Sequence, residues 1–242
     1  MRLSLCSPAV PEPDQLSHPH LRPTAPLAER VLLPGDPGRA LALAQALLAE
    51  PRMFNHHRGL WGYTGAAADG APLTIQATGM GGPSAAIVLT ELIAMGARRA
   101  IRVGTCGALD RSLGLGELVI AREAICADGT SRALGAGERA GADEALTQTL
   151  EAAAPGARAG AVVSVDLFYE RGPAGAGHDA LAVEMEAATV FALARAEGVP
   201  AGCLLTVSDT FDEHGGRRRI DDNELLAAAE RMGTAAVAAL PV

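Results

Sequence analysis

Residues 202–208 form an apolar, strand-like run that ends in Asp209. An acid at the end of a buried strand is well placed to protonate a leaving group, although the same residue type often only caps the next helix. A second acidic pair lies in Val183-Glu184-Met185-Glu186, where a strand turns into a helix. There, one carboxylate can face a cleft while the other makes internal or helix-terminal contacts. Arg102 interrupts an apolar strand, Ile101-Arg102-Val103, just ahead of Gly104 and Thr105. Turned inward it needs an anionic partner, and Thr105 would set a hydroxyl beside it; turned outward it is only a solvated strand residue. Gly35-Asp36-Pro37-Gly38-Arg39 offers backbone N–H groups at a helix start with an arginine in the first turn, which suits phosphate.

Other chemistries are excluded or weakened. The turn Gly79-Met80-Gly81-Gly82-Pro83-Ser84 joins a strand to a helix, as a dinucleotide fingerprint does. Its third glycine is missing, Pro83 intrudes, and no acid ends a strand about 20 residues on, so it reads as a packing or anion turn. The chain contains no lysine; all 20 cationic side chains are arginine. A lysine Schiff base, a pyridoxal-phosphate lysine and a P-loop lysine are thereby ruled out, and anions fall to Arg forks, backbone N–H groups and hydroxyls. Cys6, Cys106, Cys126 and Cys203 make no C-x-x-C pair, and His18/His20, His56/His57, His178 and His214 show no metal-ligand spacing. No metal site is expected.

Positioning these residues takes alternating strands and helices. Strands are expected at 31–33, 73–78, 100–104, 118–125, 161–165, 181–183 and 202–208. Helices are expected at 38–49, from a cap at Ser84 with Ile87, Leu89, Leu92 and Ile93 at helical spacing, near 143–153, at 186–197 and at 223–239. This is an α/β pattern, a mostly parallel or mixed central sheet flanked by helices, with the chemistry in loops at strand ends. A chain of 242 residues, 49% apolar and 20% charged, suits one such domain, here 28–242 behind an extended, proline-rich arm at 1–27. A net charge of -8 argues against nucleic acid as a partner. No apolar run reaches the roughly 18 residues of a membrane span and no leader is evident, so the cytoplasm is expected.

The motifs fall in a specific order. Gly-Asp-Pro-x-Arg at 35–39, Arg58-Gly59-Leu60-Trp61-Gly62-Tyr63-Thr64-Gly65 and Thr78-Gly79-Met80-Gly81-x-Pro83-Ser84 come first. Arg102 to Gly107, Asp166-Leu167-Phe168-Tyr169, Glu184-Met185-Glu186-Ala187-Ala188 and Val207-Ser208-Asp209 follow. Over roughly residues 18–240 this resembles the purine nucleoside phosphorylase and uridine phosphorylase family, most closely its hexameric bacterial purine members. The resemblance implies phosphorolysis of a nucleoside to free base and ribose 1-phosphate, with no cofactor and with phosphate as co-substrate. It implies phosphate binding by Gly35, Arg39, Arg102 and Thr105, with Arg58 reaching in from a neighbouring subunit. It implies that Glu186 holds the ribose hydroxyls, Met185 packs beneath the sugar, and His20 of the neighbour's arm meets the 5′-hydroxyl. Phe168 would stack on the base beside Cys106, Gly107 and Val183.

By the same resemblance Asp209 is the general acid for the leaving base, a role that needs a protonated carboxyl at neutral pH. The family's purine members place an arginine after this acid to trigger proton transfer. Here Arg217, Arg218 and Arg219 follow unusually soon, with Arg217 the first choice and a solvated charge run the plain alternative. The implied assembly is a hexamer, a trimer of dimers with shared sites. Purine is favoured over uridine because Glu170-Arg171-Gly172-Pro173 lacks the Gln-x-Arg pair of uridine phosphorylases, and because they lack an acid at this position. The intact phosphate loop argues against the hydrolytic nucleosidases, and the paired Glu186 and Asp209 against a relative that only binds nucleosides.

Overall fold

The computed structural model describes residues 18–169, 177–212 and 216–240. Most of the proposed arm, the 170–173 stretch and His214 lie outside that range. The chain runs β1 (Arg30–Leu33), α1 (Pro37–Leu47), β2 (Ala49–Asn55), β3 (Gly62–Ala66), β4 (Pro72–Gln76), α2 (Gly82–Ala94), β5 (Arg99–Ala108) and β6 (Leu118–Cys126). It continues through α3 (Gly129–Ala133), β7 (Arg139–Gly141), α4 (Glu144–Ala153), β8 (Arg158–Ser164), β9 (Ala182–Glu184), α5 (Ala187–Ala196), β10 (Ala201–Phe211), β11 (Arg217–Arg219) and α6 (Asp222–Ala239).

All the strands join one mixed sheet in the order β11-β10-β6-β8-β9-β5-β1-β4-β3-β2, with β7 on the side of β6. A further pairing of β10 with β5 closes β10, β6, β8, β9 and β5 into a ring. At its centre β4, β1, β5 and β10 run parallel, so their C-terminal ends open on one side, where α/β folds bind ligands. Two apolar layers hold the sheet. Val88, Leu89 and Leu92 of α2 and Val190 and Phe191 of α5 fill one; Leu43 of α1, Leu150 of α4 and Met232 and Ala236 of α6 fill the other. Strand runs such as Val31-Leu32-Leu33 are buried throughout because both faces are covered.

The expected elements appear, with corrections at their edges. The helix after the Gly79–Pro83 turn begins at Gly82, with Gly81 in the cap position at φ +84°. Ser84 therefore sits inside the first turn, and its Oγ donates to the Thr78 carbonyl instead of capping. Pro83 fits because first-turn N–H groups need no helical partner. In α2 it is Val88 that turns inward, while Ile87 is 41% exposed. Residues 202–208 are not the last strand: β11 follows as a hairpin partner. The β2–β3 hairpin, α3 and β7 were not expected. They are short or edge elements, β2 carrying Pro51 and mostly exposed side chains, and so lack a periodic apolar signature.

Candidate active site

Helix α1 starts on the loop after β1. Asp36 caps it, Oδ1 accepting from the Arg39 backbone N–H at 2.7 Å, and Pro37 occupies the first turn. This sets Gly35 and Arg39 at the mouth of a cavity of about 1180 Å³ on the C-terminal side of the sheet. Burial lowers the Arg39 guanidinium's pKa from its ordinary value; Asp36 opposes this, while Arg102 and Arg219 add to it. A group in that position gains from a bound anion.

Arg102 points inward from β5 and is buried. Its Nε donates to Glu184 Oε2 at 2.9 Å, and its Nη2 meets Glu186 Oε2. Burial works against the guanidinium charge, yet Glu186 and Glu184 outweigh it and hold the pKa above the ordinary value. Gly104 is required here: a Cβ on it would stand 2.8 Å from Arg102 Nη2 and 2.9 Å from Cζ, so the guanidinium can fold over the strand only above a glycine. Thr105 lines the same wall.

The two glutamates divide their work as their position between β9 and α5 implies. Glu184 accepts from the backbone N–H groups of Glu186 and Ala187 and from Ser164 Oγ, which secures the start of α5. Glu186 accepts from the Gly81 N–H of the turn before α2 and pairs with Arg102. Burial raises the Glu186 pKa above the usual glutamate value; Arg102 opposes and Glu184 adds. Met185, between them, lines the cavity.

Asp209 owes its aim to an irregularity. The register of β10 against β5 shifts between Val207 and Asp209, leaving Ser208 as the extra residue and turning Asp209 toward the cavity opposite Gly107. Ser208 Oγ donates to Asp209 Oδ2 at 2.6 Å and approaches the Cys106 carbonyl at 3.2 Å. Across the β10–β11 hairpin Phe211 faces Arg217 and Asp209 faces Arg219. Arg217 Nε donates to Asp209 Oδ1 at 2.7 Å, and Arg219 Nη1 lies 3.8 Å from the same oxygen. That hydrogen bond raises the Arg217 pKa.

Near this hairpin Phe168, Gly107, Val183 and Cys106 line an apolar flank. Phe168 is half exposed, with the Arg217 Cζ 4.6 Å over its ring and Tyr169 edge-on at 4.9 Å. Burial pushes the Cys106 thiol up, so it stays protonated, near the Thr206 carbonyl at 3.6 Å.

One cavity thus gathers Gly35, Arg39, Arg102, Thr105, Met185 and Glu186 with Cys106, Gly107, Phe168, Val183, Asp209 and Arg217. His20 and Arg58 lie elsewhere. The His20 Nδ1 is 2.6 Å from Glu91 Oε1, and the His20 carbonyl accepts from His57 Nδ1 at 3.2 Å. Arg58 is next to that histidine, exposed, in a 3-10 turn His57–Gly59 with φ +59°. The two therefore share one patch outside the cavity of their own chain. Wall residues without an assigned role include Met80, Val165, Ser208, Phe211 and Leu225, and Arg219, weighed only as an alternative to Arg217, lines it as well.

The chain matches the family described as the phosphorylase superfamily over residues 29–240. It is 39% identical over 197 residues to a protein of Alkaliphilus metalliredigens (strain QYMF) named purine nucleoside phosphorylase DeoD-type, covering 76% of this chain and 84% of that one. A similarly named protein of Geobacillus kaustophilus (strain HTA426) is 34% identical over 220 residues, covering 85% and 93%. A guanosine phosphorylase of Halorubrum lacusprofundi (strain ATCC 49239 / DSM 5036 / JCM 8891 / ACAM 34) is 37% identical over 211 residues, covering 81% and 85%.

Proposed function

The chain belongs to the phosphorylase superfamily, and on that footing we propose that it cleaves purine nucleosides by phosphorolysis, giving the free base and ribose 1-phosphate. The observation that carries this reading is the placing of Asp209 in one cavity with an anion-ready wall of Arg39, Arg102 and Thr105 and with Glu186. A phosphate held at that wall is the nucleophile toward the anomeric carbon. The C–O bond to phosphate forms as the C–N bond to the base breaks.

Positive charge builds on the sugar and negative charge on the base. The phosphate and the Glu186 carboxylate, which accepts from the ribose hydroxyls, stabilise the first. Asp209 supplies the proton that neutralises the second. In the substrate-free arrangement both Asp209 oxygens accept hydrogen bonds, from Arg217 Nε and Ser208 Oγ. The acid step therefore requires one of these contacts to yield as the proton arrives. Arg102 is likewise shared: it holds Glu186 in the free site and turns part of its donor fork to phosphate. Phe168, Gly107 and Val183 take the base and Met185 the underside of the sugar.

His20 and Arg58, both outside their own cavity, serve the site of a neighbouring copy, with His20 toward the 5′-hydroxyl and Arg58 toward phosphate. The assembly is a homo-oligomer with shared sites, a hexamer by likeness to its family, and the working compartment is the cytoplasm. The reading is tested by assaying base release from inosine, guanosine, adenosine and uridine with and without inorganic phosphate. Purine release that depends on phosphate and yields ribose 1-phosphate is expected. Release without phosphate, or cleavage of uridine alone, would contradict it.

A further inference from the structure

Resting on the shared-site reading, we propose that Glu91 is a positioning residue that fixes the hydrogen-bonding polarity of His20. It holds the ring with Nδ1 as the donor and Nε2 as a bare acceptor. The neighbouring copy's cavity then takes nucleosides that carry a hydrogen-bond donor on the 5′ carbon and disfavours those that carry none there.

Glu91 is an oddity of helix α2, a buried carboxylate in the run Leu89-Thr90-Glu91-Leu92-Ile93. A carboxylate in that place needs hydrogen-bond donors, and the arm supplies them. Oε2 accepts from the Leu21 N–H at 2.8 Å, and the His20 N–H lies 3.2 and 3.3 Å from the two oxygens. The remaining contact is to the ring, Nδ1 standing 2.6 Å from Oε1. A carboxylate has lone pairs and no hydrogen to give, so this contact puts the hydrogen on Nδ1. In a neutral imidazole the other nitrogen is then an acceptor, as with any histidine whose tautomer is set by a partner behind it. The backbone around the ring is held too. The His20 carbonyl accepts from His57 Nδ1 at 3.2 Å, and the Arg22 N–H donates to Asn55 Oδ1 at 2.9 Å. The ring is 30% exposed, and among the described residues no hydrogen bond engages its Nε2. A 5′-hydroxyl or 5′-amine can donate to that nitrogen. A 5′-fluorine cannot, and leaves it unpaired once the site is filled.

The test measures kcat/KM at saturating phosphate for the purine nucleoside cleaved fastest and for its 5′-amino-5′-deoxy and 5′-deoxy-5′-fluoro analogues. The assay is run at about pH 8, above the ordinary imidazole value of about 6.5. In the wild type the amino analogue is expected to exceed the fluoro analogue by about fivefold or more. Glu91→Gln keeps the shape and reverses the polarity. Its carbonyl oxygen must take the Leu21 N–H, which leaves the amide NH₂ facing Nδ1 and moves the ring hydrogen to Nε2, against the amine. The amino-to-fluoro ratio is therefore expected to fall about tenfold or more. The electronic effect of fluorine on the sugar is common to both proteins and cancels in that comparison. A second measurement needs no change at Glu91. Nitrogen NMR of the histidine rings of the wild type, with His20 assigned by its loss in His20→Asn, should show hydrogen on Nδ1 and none on Nε2. Hydrogen on Nε2, in a neutral or a doubly protonated ring, would overturn the proposal. A ratio that Glu91→Gln leaves unchanged would overturn it as well, since a carboxylate that only pins the arm slows all three substrates alike. Wild-type kinetics on all three in His20→Ala is a different result: His20 then meets no sugar, and the shared-site reading fails.

Discussion

Arg39 and Arg102 are both arginines facing one cavity, but they are held differently and should fail differently. Arg102 is the centre of a buried ionic cluster with Glu184 and Glu186. Removing it leaves two buried carboxylates without their cation, a loss of about 3–5 kcal/mol of stability. Among the described residues the Arg39 guanidinium has no such ion pair; its backbone N–H is what the Asp36 side chain caps. Arg39→Ala is therefore expected to keep the melting temperature of the wild type and to raise the KM for phosphate about tenfold or more, with little change in the KM for nucleoside. Steady-state kinetics with each substrate varied in turn check this. At this scale the sequence was informative wherever a polar residue interrupts an apolar strand: Arg102 reads as an anomaly in Ile-Arg-Val, and burial with two carboxylates is the physical resolution. It was uninformative for Ser208, because a serine before a strand-end acid is unremarkable until a register shift puts its hydroxyl on Asp209.

At the scale of elements, the strand ends do the positioning and their glycines make it possible. Gly104→Ala would set a Cβ within 3 Å of the Arg102 guanidinium. The strand carries no positive φ at that residue, so its backbone tolerates alanine and the guanidinium gives way instead. The expected outcome is a folded protein with a raised KM for phosphate and a melting temperature lowered by weakened Arg102 pairing, read by the same kinetics and by thermal unfolding. The buried strands and long helices were legible because apolar runs and helical spacing are local properties. The β2–β3 hairpin was not, since its outer strand is exposed and buries little apolar surface. The run Arg217-Arg218-Arg219 shows the limit most clearly. As composition it is a solvated charge run, but as a strand its alternate side chains face Asp209. Gly216 just ahead of it, whose N–H donates to Asp212 Oδ1, is the local turn signal that distinguishes the two.

At the scale of the whole molecule, the fold leaves His20 and Arg58 on a patch away from the cavity of their own chain, where they were expected to serve a neighbour's. The arm is pinned there: the buried Glu91 accepts from the backbone N–H groups of His20 and Leu21, and Asn55 accepts from that of Arg22. Nothing local in the sequence relates residues 20, 58 and 91; only packing does. If the patch completes a neighbour's site, an Arg58→Ala chain and a Glu186→Ala chain, each nearly inactive alone, should recover part of the activity when co-assembled. Each mixed pair then contains one cavity with both wild-type residues. A verified mixed oligomer with no recovery would mean that each cavity works with its own chain alone.

That this cavity works through Asp209 as the acid is tested most directly by Asp209→Asn, assayed with phosphate on inosine and on its 7-methylated, positively charged counterpart. Asparagine keeps the shape and a hydrogen-bond donor but cannot give up a proton. The loss in kcat on inosine should be about 10²–10⁴, the range for general acid catalysis, while binding weakens far less. On the methylated nucleoside, whose base leaves without protonation, the loss should nearly vanish. An equal loss on both substrates, accompanied by a fall in melting temperature, would contradict the account and reduce Asp209 to a residue that only holds the β10–β11 hairpin together.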